Sequence, residues 1–535
     1  VTGSKDNNLA GDLYTTNGES LDWNSNAFLY YTRSFNKQHN LNVSAGWEAA
    51  SGTTESTNAH YRGFPSGEFH SLNYAAEVYK KPTRTENTTR RVSVLASANY
   101  TWNDIYLVDA SVRFDGSSEF GANQKWAPFF SGGLGVNIHN YDFFKSNGYI
   151  NKLKLRASYG RTGKVNFPAY AATTMYETLF DEWYITGYGA VLKALGNKDL
   201  TWEKTDKLSV GIETKTFHDR LTVDFEYYYN KTIDLVNDVT LSQTSGFSTY
   251  KDNMGQVANK GVELKLRADI YRDRNWNVAL WGNMAHNKNE ILKISDSQKA
   301  YNERVAAYYK NEALYQETLG LSHGAEYSVP LPQYEEGASL TSIWAVRSLG
   351  IDPTTGKEIF LNRDGSIADK WNAAQEVVVG NTEPKCSGAF GLNLSYKNWT
   401  LFASFLYEWG GQEYNQTLVN NVENADLVNK NVDLRVLTDR WKKPGDIAQF
   451  KDIKDRGMTT LPTSRFVQDK ALVRLNSLNV SYDFNRDWIK KHLRMNLLRL
   501  EASTSDLINW SSIKQERGLS YPRSWKVEFS LKAQF

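Results

Sequence analysis

The chain has 535 residues, of which 40% are hydrophobic and 13% aromatic, and its 62 basic and 60 acidic residues leave a formal net charge of +2. The mean hydropathy is −0.56, and no stretch approaches the roughly eighteen consecutive apolar residues of a membrane helix, so a helical membrane protein is excluded. The balanced charge offers no attraction to a polyanion, which excludes nucleic acid as a partner. A single cysteine, Cys386, allows neither an internal disulfide nor a thiol cluster for a metal, and we assign it no role.

The first part of the chain predicts strands separated by polar stretches. Residues 1–23 are rich in Gly, Asn, Asp, Ser and Thr and are predicted to form a loop. A hairpin follows, with strands at 27–35 and 41–47. A second long polar stretch, predicted as a loop, occupies residues 51–88.

The next two strands, at 92–100 and 106–114, alternate apolar with polar residues. The polar side of the second includes Asp109, Arg113 and Asp115. Burying such charges unpaired would cost several kcal/mol each. This face is therefore predicted to contact water.

The same alternation repeats to the end of the chain. In residues 262–270, apolar residues alternate with Glu263, Lys265, Arg267 and Asp269. The last stretch, 525–535, alternates without interruption over about the length that a tilted strand needs to cross a bilayer. A long half-buried strand of a soluble protein would show the same alternation. The recurrence of the pattern along the chain is what favours membrane-spanning strands. The pattern predicts about fifteen strands, the others lying at 130–136, 153–159, 208–215, 221–229, 276–284, 390–396, 399–407, 472–484 and 498–503.

The links between these strands alternate in length. Short links lie at 36–38, 102–104, 218–220, 272–275 and 397–398. Two of intermediate length, 139–152 and 485–494, are predicted to contain single helical turns. Long links lie at 51–88, 163–200, 289–384 and 410–469, with shorter members at 116–125, 233–255 and 505–522. Such segregation predicts an all-β fold, a transmembrane antiparallel β-barrel with short periplasmic turns and long extracellular loops.

The strand count predicts that the barrel is incomplete. Fifteen strands are an odd number, whereas a closed antiparallel barrel needs an even number. An open strand edge is not viable in lipid. The chain also begins at Val1 without a signal segment. We therefore expect residues 1–535 to be the C-terminal part of a barrel whose first strands are absent from this chain.

Seven stretches resemble segments of one family, the SusC/RagA-type TonB-dependent transporters of the Bacteroidetes, and they occur in the family's order. They are DGSSEFG at 115–121, LKLRASYGRTG at 153–163, TWEKTD at 201–206, NKGVEL at 259–264, LGIDP at 349–353, GNTEPK at 380–385 and RLNSLNVSY at 474–482.

The resemblance implies an outer-membrane barrel of 22 strands with an N-terminal plug, and the plug and the first strands are expected to be absent from this chain. It also implies two partners, TonB through the missing N-terminal region and a SusD-like surface lipoprotein, and import of a glycan or peptide. Phe535 resembles the terminal aromatic residue by which such barrels are recognised for assembly. A siderophore or haem receptor, a passive porin or adhesin barrel, and a soluble carbohydrate-binding or hydrolytic β protein remain alternatives.

The sequence contains no constellation typical of an enzyme. Its eight histidines are scattered without metal-ligand spacing, and the glycines at 132–135 do not form a phosphate-binding loop. Carboxylates such as Asp224, Glu226, Glu263 and Asp269 are predicted to line the lumen. No cofactor is expected, although the acidic turns at 352–356 and 362–366 resemble weak calcium sites; an ordinary β-turn is the alternative.

Ligand-binding residues are expected among aromatic side chains of the long loops and the upper lumen, because sugars and peptides stack on rings. For Trp409 an interfacial anchor is the alternative, and for Trp344 a loop core. The predicted binding residues are Trp183, Tyr184, Tyr327, Trp344, Trp371, Trp409 and Tyr414.

Overall fold

A computed structural model provides the architecture of the chain. It describes residues 11–68, 71–145, 148–165, 167, 169–185, 187–240, 249–253, 255–296, 298–300, 302–303, 307, 329–427, 432–457, 460–484, 486–514 and 525–535. Within these residues, no helix has both the length and the apolar character needed to cross a bilayer.

One antiparallel sheet dominates the structure. Its path runs through fifteen strands, numbered here together with those of the loops: β1 (Asp12–Phe35), β2 (His39–Arg62), β3 (Glu77–Trp102), β4 (Tyr106–Ser117), β5 (Trp126–Asn137), β6 (Ile150–Lys164), β9 (Glu203–Thr216), β10 (Leu221–Ile233), β13 (Gln256–Arg272), β14 (Trp276–Lys293), β19 (Cys386–Tyr396), β20 (Trp399–Tyr414), β21 (Val467–Asp483), β22 (Leu497–Thr504) and β24 (Val527–Gln534). A sixteenth strand, β23 (Asn509–Ser511), pairs with β21 beside β22.

The remaining strands belong to the long links. They form two hairpins and one sheet of four strands: β7 (Met175–Tyr184) with β8 (Gly187–Ala194), β11 (Val236–Thr240) with β12 (Thr249–Asn253), and β15 (Ser342–Ile351), β16 (Glu358–Leu361), β17 (Ile367–Ala368) and β18 (Glu376–Asn381).

The fifteen predicted strands are confirmed, because each falls in a different strand of the path. The predicted all-β class is confirmed with them. Within the described residues, β1 and β24 are the two ends of the path. The total of 22 strands remains a prediction.

The register keeps apolar residues in continuous rows on one face of the sheet. Between β10 and β13, Val223 lies opposite Leu266, and Phe225 lies opposite Leu264. The other face of the same strand pair holds charges, among them Asp224 opposite Lys265. Along β10 the apolar row extends from position 221 to position 229, roughly 27 Å of strand, which suits a tilted crossing of the hydrocarbon layer.

Aromatic residues of the apolar face collect at the rim with short turns. Trp102 stacks on Tyr106 with ring centroids 5.3 Å apart, and the hydroxyl of Tyr141 donates to that of Tyr106 at 2.7 Å. Further along the same rim, Trp276 packs on Tyr396 at 4.2 Å and Trp399 on Tyr482 at 4.8 Å. Rings with an apolar body and a polar edge are typical of the membrane interface, so this row is an aromatic girdle.

The short turns use residues that tolerate left-handed backbone. In the link from β3 to β4, Asn103 and Asp104 have φ of 52° and 56°. Two consecutive positive φ values are typical of type I′ turns, whose twist matches that of the flanking strands. The predicted helical turns of the same rim are confirmed at Ile138–Asn140, Asp142–Lys145 and Arg486–Leu493.

Two loop predictions are wrong. Within residues 1–23, β1 already begins at Asp12, and most of 51–88 consists of β2, which ends at Arg62, and β3, which begins at Glu77. The physical reason is that these segments continue past the end of the apolar band. A strand outside the membrane needs no apolar row, so its alternation disappears from the sequence while its hydrogen bonds continue.

The long links also contain short helices of their own. Among them are 3₁₀ turns at Leu72–Tyr74, Ala373–Gln375, Ile453–Gly457 and Ser464–Phe466, α-helical turns at Gln416–Leu418 and Arg435–Thr438, and a π-helical turn at Val419–Glu423.

An arginine substitution on each face tests which face contacts lipid. Leu280 lies in the middle of the apolar rows, opposite Ala268, whereas Ala285 on the same strand lies on the polar face opposite Glu263. Leu280→Arg in the full-length protein is expected to lower the free energy of unfolding in lipid vesicles by about 2–4 kcal/mol, because the guanidinium would lie in hydrocarbon. Ala285→Arg, the matched control, should change it far less, and equal losses would contradict the assignment of the faces.

Candidate functional site: the lumen wall and the loop platform

Ion pairs on the polar face join strands that lie two apart in the sheet. Arg156 on β6 contacts Asp224 at 2.8 Å and Glu226 at 2.7 Å, both on β10. Arg113 on β4 contacts Glu48 on β2 at 2.9 Å and Asp115 on its own strand at 2.6 Å. Most of these side chains are about one-third exposed, so each pair contributes little to stability. Together they form a wetted wall, as expected for a lumen.

Two long links fold together above this wall. The link from β14 to β19 provides the sheet of β15 to β18, and the link from β20 to β21 provides short helical turns over an apolar cluster. We call the described residues 329–385 and 415–466 the loop platform. The apolar cluster of the second link consists of Leu418, Val419, Val422, Ala425, Val436, Phe450 and Phe466.

Hydrogen bonds join the two links of the platform. The backbone amide of Val346 donates to the carbonyl of Pro462 at 3.2 Å, and the indole of Trp371 donates to the same carbonyl at 2.8 Å. The indole of Trp441 donates to the carbonyl of Pro353 at 2.8 Å. These contacts make the two links one packed unit.

A buried charge network lies at the junction of the two links. Arg465 contacts Glu423 at 2.7 Å and Glu358 at 3.0 Å, and the three side chains are 8%, 0% and 11% exposed. The hydroxyl of Thr463 also donates to Glu358 at 2.6 Å. Burial favours the neutral form of Arg465, but the charges of Glu358 and Glu423 outweigh this effect and raise the pKa of its guanidinium.

A second buried arginine lies beside this network. The guanidinium of Arg440 donates to the backbone carbonyls of Val436 at 3.1 Å, Lys451 at 3.1 Å and Glu423 at 2.9 Å. Burial lowers the pKa of Arg440. Its hydrogen bonds satisfy carbonyls that the short helical turns leave without partners.

Two of the predicted binding residues, Trp344 and Trp371, lie in the platform, and a third, Tyr414 at the end of β20, packs against it. Trp344 is 3% exposed in β15, Trp371 is bound to Pro462 as described, and Tyr414 packs edge-on against Phe466 with ring centroids 6.0 Å apart. Burial raises the pKa of the Tyr414 hydroxyl. Trp344 and Tyr414 therefore lie in the loop core rather than on an open surface.

The other predicted binding residues lie elsewhere. Trp409 is 60% exposed and shares the apolar face with Tyr407, a position that fits the interfacial anchor. Trp183 and Tyr184 lie in β7, but their side chains are outside the described part of the structure. Tyr327 is outside the described residues.

The acidic turns fold as ordinary turns. The carboxylate of Asp352 accepts hydrogen bonds from the amide of Thr354 at 2.9 Å and the hydroxyl of Thr355 at 2.7 Å. Gly356 closes the turn with φ of +71°, and a Cβ there would lie 2.5 Å from the Trp441 ring. Asp364 likewise accepts from the amide of Ser366 at 2.9 Å. In the described part of the chain, no group of three or more His, Cys, Asp or Glu residues is arranged to hold a metal.

Sequence reasoning missed the Arg465 network. Glu423 precedes Arg465 by 42 residues, and Glu358 precedes it by 107. No local spacing links residues so far apart. These charged residues also lie in loops that are polar in composition. Nothing in the local sequence therefore indicated that they would be buried.

A match to the family described as "TonB dependent receptor-like, beta-barrel" covers residues 2–497. The chain belongs to this family. The wall described above is therefore part of an outer-membrane barrel, with its short turns at the periplasmic rim and its long loops at the extracellular rim. The polar face lines the lumen and the apolar face contacts lipid.

Individual relatives agree with this TonB-dependent receptor assignment. TonB-dependent receptor P39 of Formosa agariphila is 26% identical over 566 aligned residues, which cover 96% of this chain and 53% of that protein. TonB-dependent receptor SusC of Bacteroides thetaiotaomicron is 29% identical over 255 residues, 45% of this chain and 25% of that protein. The resemblance to the SusC/RagA type is thus confirmed.

Among solved structures, the RagAB peptide importer in its "open-open" state shares the fold, with a TM-score of 0.81, 22% identity, and coverage of 98% of this chain and 56% of that chain. The chain thus spans about half the length of P39 and of the RagAB chain.

Removing the central arginine tests the buried network. Arg465→Ala leaves Glu423 and Glu358 buried without their cation, and we expect the platform to lose about 3–5 kcal/mol of local stability. Hydrogen exchange of residues 415–466 in the full-length protein measures this loss. The control is Lys299→Ala, which removes an exposed pair with Glu336 at 2.9 Å. If both variants exchange alike, the network does not hold the platform together.

Platform stability is also expected to depend on pH through Glu376 on β18. Burial raises the pKa of this carboxyl from 4.5 to about 7, and the hydrogen bond from Gln333 and the charge of Arg363 offset the effect only in part. The folded platform therefore retains a proton that the unfolded chain releases. Stability is full below about pH 4.5 and is lost as pH rises through 7, by on the order of 3 kcal/mol.

Hydrogen exchange of β15 and β18 between pH 5 and pH 8, corrected for intrinsic exchange rates, measures this change. Glu376→Gln, which cannot ionise, should abolish the dependence. A wild-type sheet equally protected at both pH values would contradict the burial of a protonated carboxyl.

Proposed function

We propose that this chain is the later part of the barrel of a nutrient importer that is energised through TonB and takes up oligosaccharides or peptides. The remaining strands and a plug would come from sequence outside residues 1–535. A SusD-like surface lipoprotein would cover the extracellular mouth. We assign the protein no catalytic step, because its family consists of transporters.

The observation that carries this proposal is the loop platform. Long loops that only exclude solvent have no need of an apolar core, a four-stranded sheet and a buried ion network. A packed platform instead offers a fixed surface on which another protein can dock. The similarity to TonB-dependent receptor SusC supports the SusC-type assignment from which this partner is proposed.

The surface of the platform also fits a protein partner. Leu434 is 73% exposed, Leu437 is 60% exposed and Ile447 is 95% exposed, all on the extracellular link from β20 to β21. These side chains lie outside the apolar band of the barrel, so lipid does not cover them. Neighbouring exposed apolar side chains at such a place favour a protein contact.

Co-purification tests the partner. The full-length protein, extracted from the native outer membrane in mild detergent, is expected to bring down a surface lipoprotein in about equal amount. The double variant Leu434→Asp/Leu437→Asp should lose most of it, because burying two carboxylates in an apolar contact is costly. The matched control is Leu72→Asp, which changes an exposed residue in the link from β2 to β3.

The alternatives predict different results. A chain that purifies alone and takes up iron chelates would replace the proposal with a siderophore or haem receptor. Uptake that continues in a strain without TonB would replace it with a passive porin.

A further inference from the structure

Three strands of the wall continue above the rest of the extracellular rim. β4 ends at Ser117, which lies opposite Arg91 of β3. Beyond that point β3 continues down to position 77, β2 up to 62 and β1 down to 12. About twelve further residues on each strand correspond to roughly 40 Å of three-stranded sheet. We call residues 12–24, 51–62 and 77–90 the extension.

One face of the extension is continuous with the lumen face. The register of β1 and β2 runs without a shift from Asp12 opposite Arg62 to Phe35 opposite His39. Glu48 of β2 lies on the lumen face, because it pairs with Arg113. Since side chains alternate along a strand, the even-numbered residues of β1 and β2, including Asp12, Tyr14, His60 and Arg62, share that face.

These residues form a ring cluster near the tip of the extension. The ring of Tyr14 stacks on that of His60 at 4.0 Å and 19°, and Tyr79 of β3 meets His60 edge-on at 4.8 Å. Nε2 of His60 lies 2.7 Å from Oδ1 of Asp12, and the guanidinium of Arg62 lies 4.1 Å above the Tyr79 ring.

Tyr79 lies in a stretch of irregular pairing. The register between β2 and β3 shifts between Asn58 and His60 and again between His60 and Tyr61. Such irregularities re-aim side chains. Within this irregular stretch, the ring of Tyr79 meets His60 edge-on.

Within the cluster, the imidazole is largely buried and the two tyrosine rings are exposed. The side chain of His60 is 14% exposed, whereas Tyr14 is 71% exposed and Tyr79 is 44% exposed. Tyr14 therefore presents one ring face to solvent while its other face rests on a fixed imidazole. A ring already ordered in this way loses little conformational entropy when a ligand stacks on it.

We propose that the Tyr14–His60–Tyr79 cluster binds a sugar ring of an oligosaccharide before the ligand enters the bore, an inference that rests on the proposed import function. A pyranose has an apolar face of C–H groups, which suits the open face of Tyr14, and a rim of hydroxyls. Asp12 and Arg62 supply an acceptor and donors beside the rings. An extended peptide would instead bind mainly through main-chain hydrogen bonds to a strand edge, whereas this cluster offers side chains on a sheet face.

The test measures binding to the full-length protein in detergent by saturation-transfer NMR and calorimetry. The probes are hexasaccharides of glucose, mannose, xylose and galacturonic acid, together with a mixed hexapeptide library. We expect at least one saccharide to bind. Tyr14→Ala should weaken its binding about tenfold through loss of the stacked ring, and Tyr14→Phe should retain most of it.

Tyr61→Ala is the matched control. Tyr61 is the same residue type on the neighbouring strand β2, but it lies on the opposite face of the extension. This variant should bind the saccharide as tightly as wild type. Heat-modifiable migration of each variant on a gel verifies that the barrel has folded.

The outcomes separate this inference from the proposed function. A saccharide that binds Tyr14→Ala and wild type equally would overturn the cluster as its site, while TonB-dependent uptake would still support import. Binding of peptides but of no saccharide would also overturn it, and would make the protein a peptide importer. If the wild-type protein binds sugar through Tyr14 but supports no TonB-dependent uptake, the import function is rejected and the binding site is retained.

Discussion

The wall depends on one constraint, that hydrocarbon offers no partner to a backbone amide or carbonyl. Each strand must therefore pair along its whole membrane crossing, and the fifteen-strand path does so with few shifts in register. Once pairing is fixed, side chains can only alternate between lipid and lumen. The charges of Arg113, Arg156 and their carboxylate partners consequently collect on the wetted face, where water shares in their solvation.

The extracellular loops are free of that constraint and follow the rules of a soluble domain. They form their own sheet and apolar cluster, and they bury Arg465 with Glu358 and Glu423. A buried pair of this kind is strongly destabilising only when one partner is removed. In the platform, these charges fix how two distant links pack together. On the lumen wall, the same charges would contribute almost nothing to stability. The same residue types therefore form solvated ion pairs on the lumen wall and a buried network inside the loops.

The limits of sequence reasoning follow from the same division. Alternation located every strand of the path, because lipid and water impose a period of two. It failed for β1 to β3 above the membrane, where water lies on both faces and no period is required. It also could not place Trp344 and Tyr414, because whether a loop aromatic is buried depends on contacts with residues such as Phe466 and Pro462 that come together only in the folded chain.

The strands of the extension stay paired although neither face carries a continuous row of apolar residues. Polar cross-strand contacts join its strands, among them Thr16 with Asn58 at 2.8 Å and Thr53 with Thr88 at 3.1 Å. Such contacts are weak individually and present similar chemistry on both faces. The two faces differ at the ring cluster, because the rings of Tyr14, His60 and Tyr79 pack together on one face near the tip. Since Tyr14 and His60 lie on the face that continues into the lumen, a ligand stacked there would already be on the side of the sheet from which it can enter the bore.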